Sequence, residues 1–460
     1  MQQTKAYSFD FTNICSEVME GLASGVESNL CKPARGRPAG VGLCMLLTST
    51  IRQKLFTLGS VEKHLKKISG VDLAASTVSR RLARVGESQL EAINKHLLGA
   101  VGNRSNNAEG YYGPYRLVGI DGTRFTLQNT EAILAKVPKG KCRRSLTEEA
   151  GEVAFPQIYA SSLVELGPHN PLAVNVGADC ECELELAWEL IKQLGEDDML
   201  IADRLYGVAW FLHQLYQTSP CAAMLLKVSA SQTTREIEQL SDGSWIVEVD
   251  VRSRRRAADI IATHRVREIR YQITSTDAEG VRSTQSYRLW TNLMDCRTHP
   301  AKALIRLYND RWEHEGYYRE LKLDLKKHKY LNAQLVETAR IEIYSMVWAS
   351  ALIARERQRV ALLSQSDPSK DPVEIHRIRF ASVREDMKML CALQTQVGVV
   401  ITSAQFEAIA ENLAKDSADQ CSPKRRRRSC PRKVRQNVKH WPKVRRRTES
   451  RDPIEVHVTS

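Results

Sequence analysis

No two of the chain's 11 cysteines stand as a Cys-x-x-Cys pair, and only Cys180-Glu-Cys182 brings two of them close together. That spacing offers neither a zinc site nor the framework of a secreted disulfide protein. The thiols are expected to be free and mostly buried, in a reducing cytoplasm. Residues Met1 to Cys15 lack a basic start followed by an apolar run, which predicts no signal peptide. The longest apolar stretch, around Ile343 to Ala354, is too short to span a bilayer and predicts a buried helix. No internal repeat is present. Acidic residues are missing from Cys421 to Arg447, where 13 Lys and Arg stand, a number equal to the net charge of +13. The basic balance is therefore a property of the tail, and the rest of the chain is nearly neutral.

What is there suits a globular protein: 460 residues, 42% apolar and 26% charged, enough for about two to four domains. Helical spacing from Phe9 to Leu98 predicts a helical N-terminal domain over 1–108. Within it, Ala75 to Val85 puts Arg80, Arg81 and Arg84 on a short helix after a Ser/Thr cap. These residues suit the second helix of a helix-turn-helix, whose N-terminal turn enters the major groove, but an ordinary solvated helix with basic surface residues accounts for them better. Lys32-Pro-Ala-Arg-Gly-Arg-Pro38 resembles the core of an AT-hook, but a Pro/Gly linker accounts for it better.

Strand-like spacing begins at Tyr115. Runs at Arg116 to Ile120, Arg124 to Leu127 and Gln157 to Leu166 precede a helix from Glu183, a short strand from Met199 to Ala202, a helix from Gly207 and a strand from Ala222. This order predicts a mixed sheet flanked by helices, its first part over 109–227. Residues 228–285 form a β-rich insertion with the basic cluster Arg252-Ser-Arg-Arg-Arg256, of which Arg254 and Arg255 are candidate DNA contacts. The sheet domain resumes over 286–365, with one long helix expected from Pro300 to Lys327 and another from Glu337 to Leu363. A helical region over 366–418 precedes a basic tail, 419–460. The run from Lys424 to Arg447 cannot fold alone and should bind phosphates.

Asp121 and Asp203 each follow an apolar strand, where the ends of adjacent strands gather sites in open α/β folds. Singly, either has a bland explanation, in a turn or a helix cap. Downstream, Tyr308, Arg311, Glu315 and Lys322 stand three, four and seven apart. At about 100° per residue they share a helical stripe roughly 60° wide. Three gathered carboxylates repel one another unless cations bind, and Mg²⁺ takes carboxylates together with substrate phosphates. Two such ions suit in-line displacement at phosphorus.

Ile120-Asp121-Gly-Thr123, Ala202-Asp203-Arg-Leu-Tyr-Gly207 and Tyr308-Asn-Asp-Arg311-Trp-Glu-His-Glu315…Lys322 resemble the three catalytic blocks of the DDE transposases of the insertion-sequence-four family. The last block matches the signature Tyr-x2-Arg-x3-Glu-x6-Lys without a gap. Leu205 departs from the glycine many members carry there, and the tail lies outside the pattern. The resemblance covers Tyr115 to Lys327 well and the N-terminal helices loosely. It implies a ribonuclease H-like mixed sheet with a β-rich insertion, and cut-and-paste DNA transposition by a cytoplasmic, nucleoid-associated bacterial enzyme with no membrane partner. The implied cofactor is a pair of Mg²⁺ or Mn²⁺ ions on Asp121, Asp203 and Glu315. The implied partners are terminal inverted repeats and target DNA, held by a homodimer. Arg311 and Lys322 would hold phosphates, Tyr308 the DNA backbone, and Tyr287 or Trp290 a flipped base. Two alternatives stay open: a metal-dependent endonuclease of the same fold, and an inactive DNA-binding relic acting as a regulator.

Overall fold

The computed structural model describes residues 18–20, 41–56, 59–142, 151–152, 154–177, 183–253, 259–276, 282–309, 312–326, 328–366, 371–395, 402–423 and 455–458. The AT-hook-like segment, Arg254, Arg255, Arg311 and the run from Lys424 to Arg447 lie outside them, as does the side chain of Glu315. The chain divides into two compact units, Met1–Asp198 with Arg311–Ser422, and Met199–Asp310 with Pro423–Ser460.

After a helical stretch at 18–20, the first unit continues with helices α1 (Leu43–Phe56), α2 (Val61–Ser69), α3 (Ala75–Leu82) and α4 (Glu87–Leu97). Ala74 caps α3 with no side-chain bond, so the expected Ser/Thr cap is not there. Ser76 and Thr77 lie inside the first turn instead. A hairpin strand β1 (Tyr111–Tyr112) pairs with β2 (Tyr115–Thr126). A one-turn helix, α5 (Glu131–Leu134), and a small ribbon of β3 (Lys141–Cys142) and β4 (Gly151–Glu152) lead to β5 (Gln157–Glu165) and β6 (Asn170–Val176). Strands β6, β5 and β2 form an antiparallel array. Helix α6 (Glu183–Ile191) packs on β5 and β6. The unit closes with α9 (Trp312–Arg319), a π-helical segment Glu320–Lys326, and helices α10 (Val336–Gln365), α11 (Phe380–Thr395) and α12 (Ser403–Asp419).

The core of this unit is built on α10. Every residue from Ile343 to Ala354 is buried, the pattern of a helix apolar all round and covered on every side. The polar groups it carries inward are paired. Trp348 Nε1 donates to Asn94 Oδ1 at 2.8 Å, Thr50 and Ser345 hydroxyls stand 2.6 Å apart, and Lys54 pairs with Glu342 at 2.7 Å with both side chains nearly covered. Among the described residues no helix is long and apolar enough to cross a membrane.

In the second unit, β7 (Asp198–Gly207) lies parallel to β8 (Ala223–Val228), with α7 (Ala209–Thr218) as the crossover. Antiparallel pairing then runs β8–β12–β11–β10–β9, using β9 (Arg235–Gln239), β10 (Trp245–Arg252), β11 (Ile260–Thr276) and β12 (Arg282–Thr291). Four residues near the end of the basic tail, β13 (Glu455–Val458), add to β11 between Tyr271 and Thr274. Helix α8 (Ala301–Asn309) follows β12. Its first N–H, on Ala301, donates to Asp242 at 2.8 Å, and Asp242 also pairs with Arg267, which is wholly buried. Arg267 completes its shell on Ser244 Oγ and on the carbonyls of Leu293 and His299. One buried guanidinium thus fastens the β9–β10 turn to the start of α8.

Candidate functional site

Asp121 does not end its strand. Strand β2 pairs with β5 without a shift from Val118 to Thr126, and Asp121, opposite Ser162, is the middle of one continuous element. The break suggested by Asp121-Gly122 does not occur, because an unbroken ladder satisfies the backbone groups a turn would have left open. Around Asp121 the packing is specific. Its carbonyl accepts from Tyr318 at 2.6 Å and from Ser161 at 3.2 Å, and the Tyr318 hydroxyl meets that of Ser162 at 2.7 Å. Tyr318 is on α9, three residues after Glu315, so the helix that carries Glu315 is fastened directly to the backbone of Asp121. Burial first, then the charge of Asp121, raises the Tyr318 phenol far above its ordinary pKa, so it stays a donor.

A carboxylate absent from the expected set also stands here. A methyl group on Gly122 would fall on the side chain of Glu183, the first residue of α6. Glutamate at a helix start reads as an ordinary response to the helix dipole, and only the three-dimensional approach across Gly122 sets Glu183 apart. Lys322 is half-buried, with its ammonium 5.6 Å from the Phe125 ring centre. Burial and then Lys326 lower its pKa, while Asp121 opposes them. Lys322 belongs to the π-helical segment, so the expected continuous α-helical stripe does not extend to it. The i→i+5 pattern widens each turn and changes the direction of every later side chain. Glu320, in the same segment, bonds His169 at 2.9 Å and anchors it.

Asp203 lies in the second unit. Its strand pairs with β8 up to Ala202 and again only at Gly207, so Asp203 stands where the ladder opens. One carboxylate oxygen accepts from Leu205 N–H at 2.8 Å, which shapes the opening. Arg204 and Leu205 are exposed, Tyr206 is fully buried against Phe211, and Gly207 returns the strand to β8. There a side chain would collide with the carbonyl oxygen of Lys227, so glycine is required by backbone approach alone. Ala202, Leu226 and Trp290 are aligned across β7, β8 and β12, one residue before Asp203.

The expected aromatic contacts fare differently. Trp290 is fully buried and donates its indole N–H to Glu268 at 2.9 Å, so it is a core residue and not a platform for a base. Glu268 lies between Arg270 and Arg288 as well. Tyr287 is half-buried, stacked on Tyr271 and capped by the Lys227 ammonium at 4.5 Å. Tyr308, on α8, is 7% exposed, so its ring packs inward and is not presented to a backbone. Tyr308 and Glu315 belong to different compact units. On α3, Arg80 and the following Arg84 are exposed, while Arg81 donates to the Val41 carbonyl.

One group of three side chains among the described residues has metal-competent spacing: Glu109, Glu374 and His376. It contains none of the expected ligands.

No protein-family model matches the chain. The chain is nevertheless distantly similar to a transposase, at 22% identity over 335 residues, which span 73% of this chain and 71% of the relative. That relative is Transposase InsG for insertion sequence element IS4, from Escherichia coli (strain K12).

Proposed function

We propose that the protein is a DNA transposase whose Asp121, Asp203 and Glu315 carboxylates jointly hold two divalent cations, Mg²⁺ or Mn²⁺. The observation that carries this reading is similarity to an insertion-sequence transposase over most of the chain; the segments around the three acids resemble that family's catalytic blocks, in the same order. Carboxylates are the donors such ions take: Asp121 is half-buried, with Glu183 against the neighbouring Gly122, and Asp203 sits at a strand opening. Bound there, the cations would polarise an attacking water or 3′-hydroxyl and neutralise charge on the leaving oxygen.

The chain's own residues supply the rest. Tyr318 ties the helix that carries Glu315 to the backbone of Asp121, which would hold these two positions in a fixed relation. Lys322 places a cation beside Asp121 where a scissile phosphate would need one. Arg311 precedes Glu315 by four residues and would hold the next phosphate. Arg80 and Arg84, exposed on and just after α3, would engage the terminal repeat, and the basic tail would hold DNA without regard to sequence. Tyr287 is the better of the two aromatic candidates for a base, since Trp290 is enclosed. Pairing of two transposon ends would call for a dimer.

Strand joining tests this reading against its rivals. Purified protein, a pre-cut end from the inverted repeats flanking the coding sequence, a plasmid and Mg²⁺ should yield covalently joined product. Cutting without joining would make the protein an endonuclease, and binding without either would make it a regulator.

A further inference from the structure

The cluster Glu109, Glu374 and His376 lies in the first unit, on two short 3₁₀ turns distant in sequence, Ala108–Gly110 and Ile375–Arg377. The turns are already joined by the backbone: Ile375 N–H donates to the Asn106 carbonyl at 3.1 Å. His376 is more than nine-tenths covered, with a side chain 7% exposed. Its Nε2 stands 3.3 Å from a Glu109 oxygen and its Nδ1 3.4 Å from a Glu374 oxygen. Apart from that 3.4 Å contact with each other, neither Nδ1 nor Glu374 Oε2, both buried, has a hydrogen-bond partner. Buried polar atoms are seldom left so, and each such atom calls for an explanation.

We infer that Glu109, Glu374 and His376 form a second cation site, taking a Zn²⁺-class ion and separate from the proposed catalytic carboxylates. Zn²⁺ binds imidazole nitrogen and carboxylate oxygen at about 2.0–2.2 Å, so two ligand atoms on a tetrahedral ion stand about 3.3–3.5 Å apart. The His376–Glu374 separation already has that value. Nδ1 and Oε2 therefore take the ion between them, and the third ligand comes from Glu109. One ligand atom from each of the three residues lies within 4.8 Å of the others, and the Glu109 side chain, which now stands at Nε2, is 71% exposed and would turn towards the ion. Three protein ligands leave a fourth position for water. An imidazole among the ligands favours Zn²⁺ over Mg²⁺. Two guanidiniums nearby oppose a cation and hold neutral partners of their own. Arg357 donates to the carbonyls of Pro168 and Ile375, and Arg377 to the Ser422 carbonyl and the Cys421 sulfur. The bound ion would clip the turn after α4 to the α10–α11 connection. The inference stands whether or not the protein is a transposase.

The test uses the full chain, freed of metal by chelator and then titrated with Zn²⁺ in a calorimeter and in thermal melts. Wild type should bind Zn²⁺ with a rise in Tm, and Asp121→Ala, whatever it loses at the proposed catalytic carboxylates, should keep the part of the binding and of the rise that depends on Glu109, which separates this site from the catalytic one. Glu109→Gln, at an exposed position that leaves the fold intact, should weaken binding on the order of 10-fold or more. Its metal-free Tm should be unchanged, and most of the Zn²⁺-induced rise should be lost. His376→Gln should do the same if it folds. Equal Zn²⁺ affinity and equal Tm rise in wild type and Glu109→Gln, or no rise in wild type, would overturn the assignment.

Discussion

At Gly122 and Gly207 a single methyl group has different things to displace. On Gly207 it would meet the Lys227 carbonyl, part of a strand that cannot move alone; on Gly122 it would meet the flexible side chain of Glu183. Gly207→Ala should therefore cost about 1–3 kcal/mol of stability, read from the denaturation midpoint. Gly122→Ala should cost less, yet lower DNA nicking, because it displaces the Glu183 carboxylate next to the strand that carries Asp121. If Gly122→Ala unfolds the protein as readily as Gly207→Ala, the flexible-neighbour account is wrong. Tyr318→Phe removes the donor that joins α9 to Asp121 and strands a buried hydroxyl at Ser162. A loss of roughly 1–3 kcal/mol is expected, with slower nicking at unchanged DNA affinity. A variant as stable and as active as wild type would show that this contact positions nothing. Asp121 and Asp203 were legible as acids beside apolar strands, while Glu183 was not. Nothing in its local sequence marks it, and the absent Cβ of Gly122 matters only once β2 and α6 are folded together.

Among the elements, the strongest periodicities were the easiest to read: α10 appears where twelve consecutive largely apolar residues predict a buried helix, and the strands of the insertion appear where β-branched residues gather. The π-helical segment was not legible, since a change from i→i+4 to i→i+5 bonding leaves the composition untouched. It is fixed by tertiary contacts such as His169 with Glu320. Element junctions carry their own predictions. Arg267→Met would leave Asp242 partly enclosed without its cation and loosen the start of α8, at a cost on the order of 3 kcal/mol, measurable in urea melts; a neutral effect would contradict the role given to this pair. Asp386 on α11 faces Ser417 on α12, and burial, then Glu356 and Asp416, push its carboxyl up to about 6. The folded state therefore holds a proton there that the unfolded chain has already released. Stability should fall as pH rises from about 4 to 6 and level off above. Asp386→Asn should flatten that slope; an unchanged pH profile would remove Asp386 as its source.

Over the whole molecule, composition placed the positive charge in the tail, the order of strand-like and helical runs predicted a mixed α/β protein, and strands with helices are found in that general order. The division into two compact units was not legible. It falls within β7 and between α8 and α9, at Asp198 and Arg311, positions that composition does not mark. A signature read as one helical stripe therefore spreads over two units and a π-helical turn. Trp290 was misjudged for a related reason: aromatic content marks both stacking platforms and cores, and only burial beside Glu268 decides between them. Shared divalent cations on Asp121, Asp203 and Glu315 remain the central claim. Its most direct test is Mg²⁺-dependent nicking of DNA carrying the flanking inverted repeats, by wild type and by Asp121→Ala, Asp203→Ala and Glu315→Ala, with binding followed in parallel. The account predicts that all four proteins bind the DNA and that wild type alone nicks it. Nicking by any one of the three variants at the wild-type rate would contradict it.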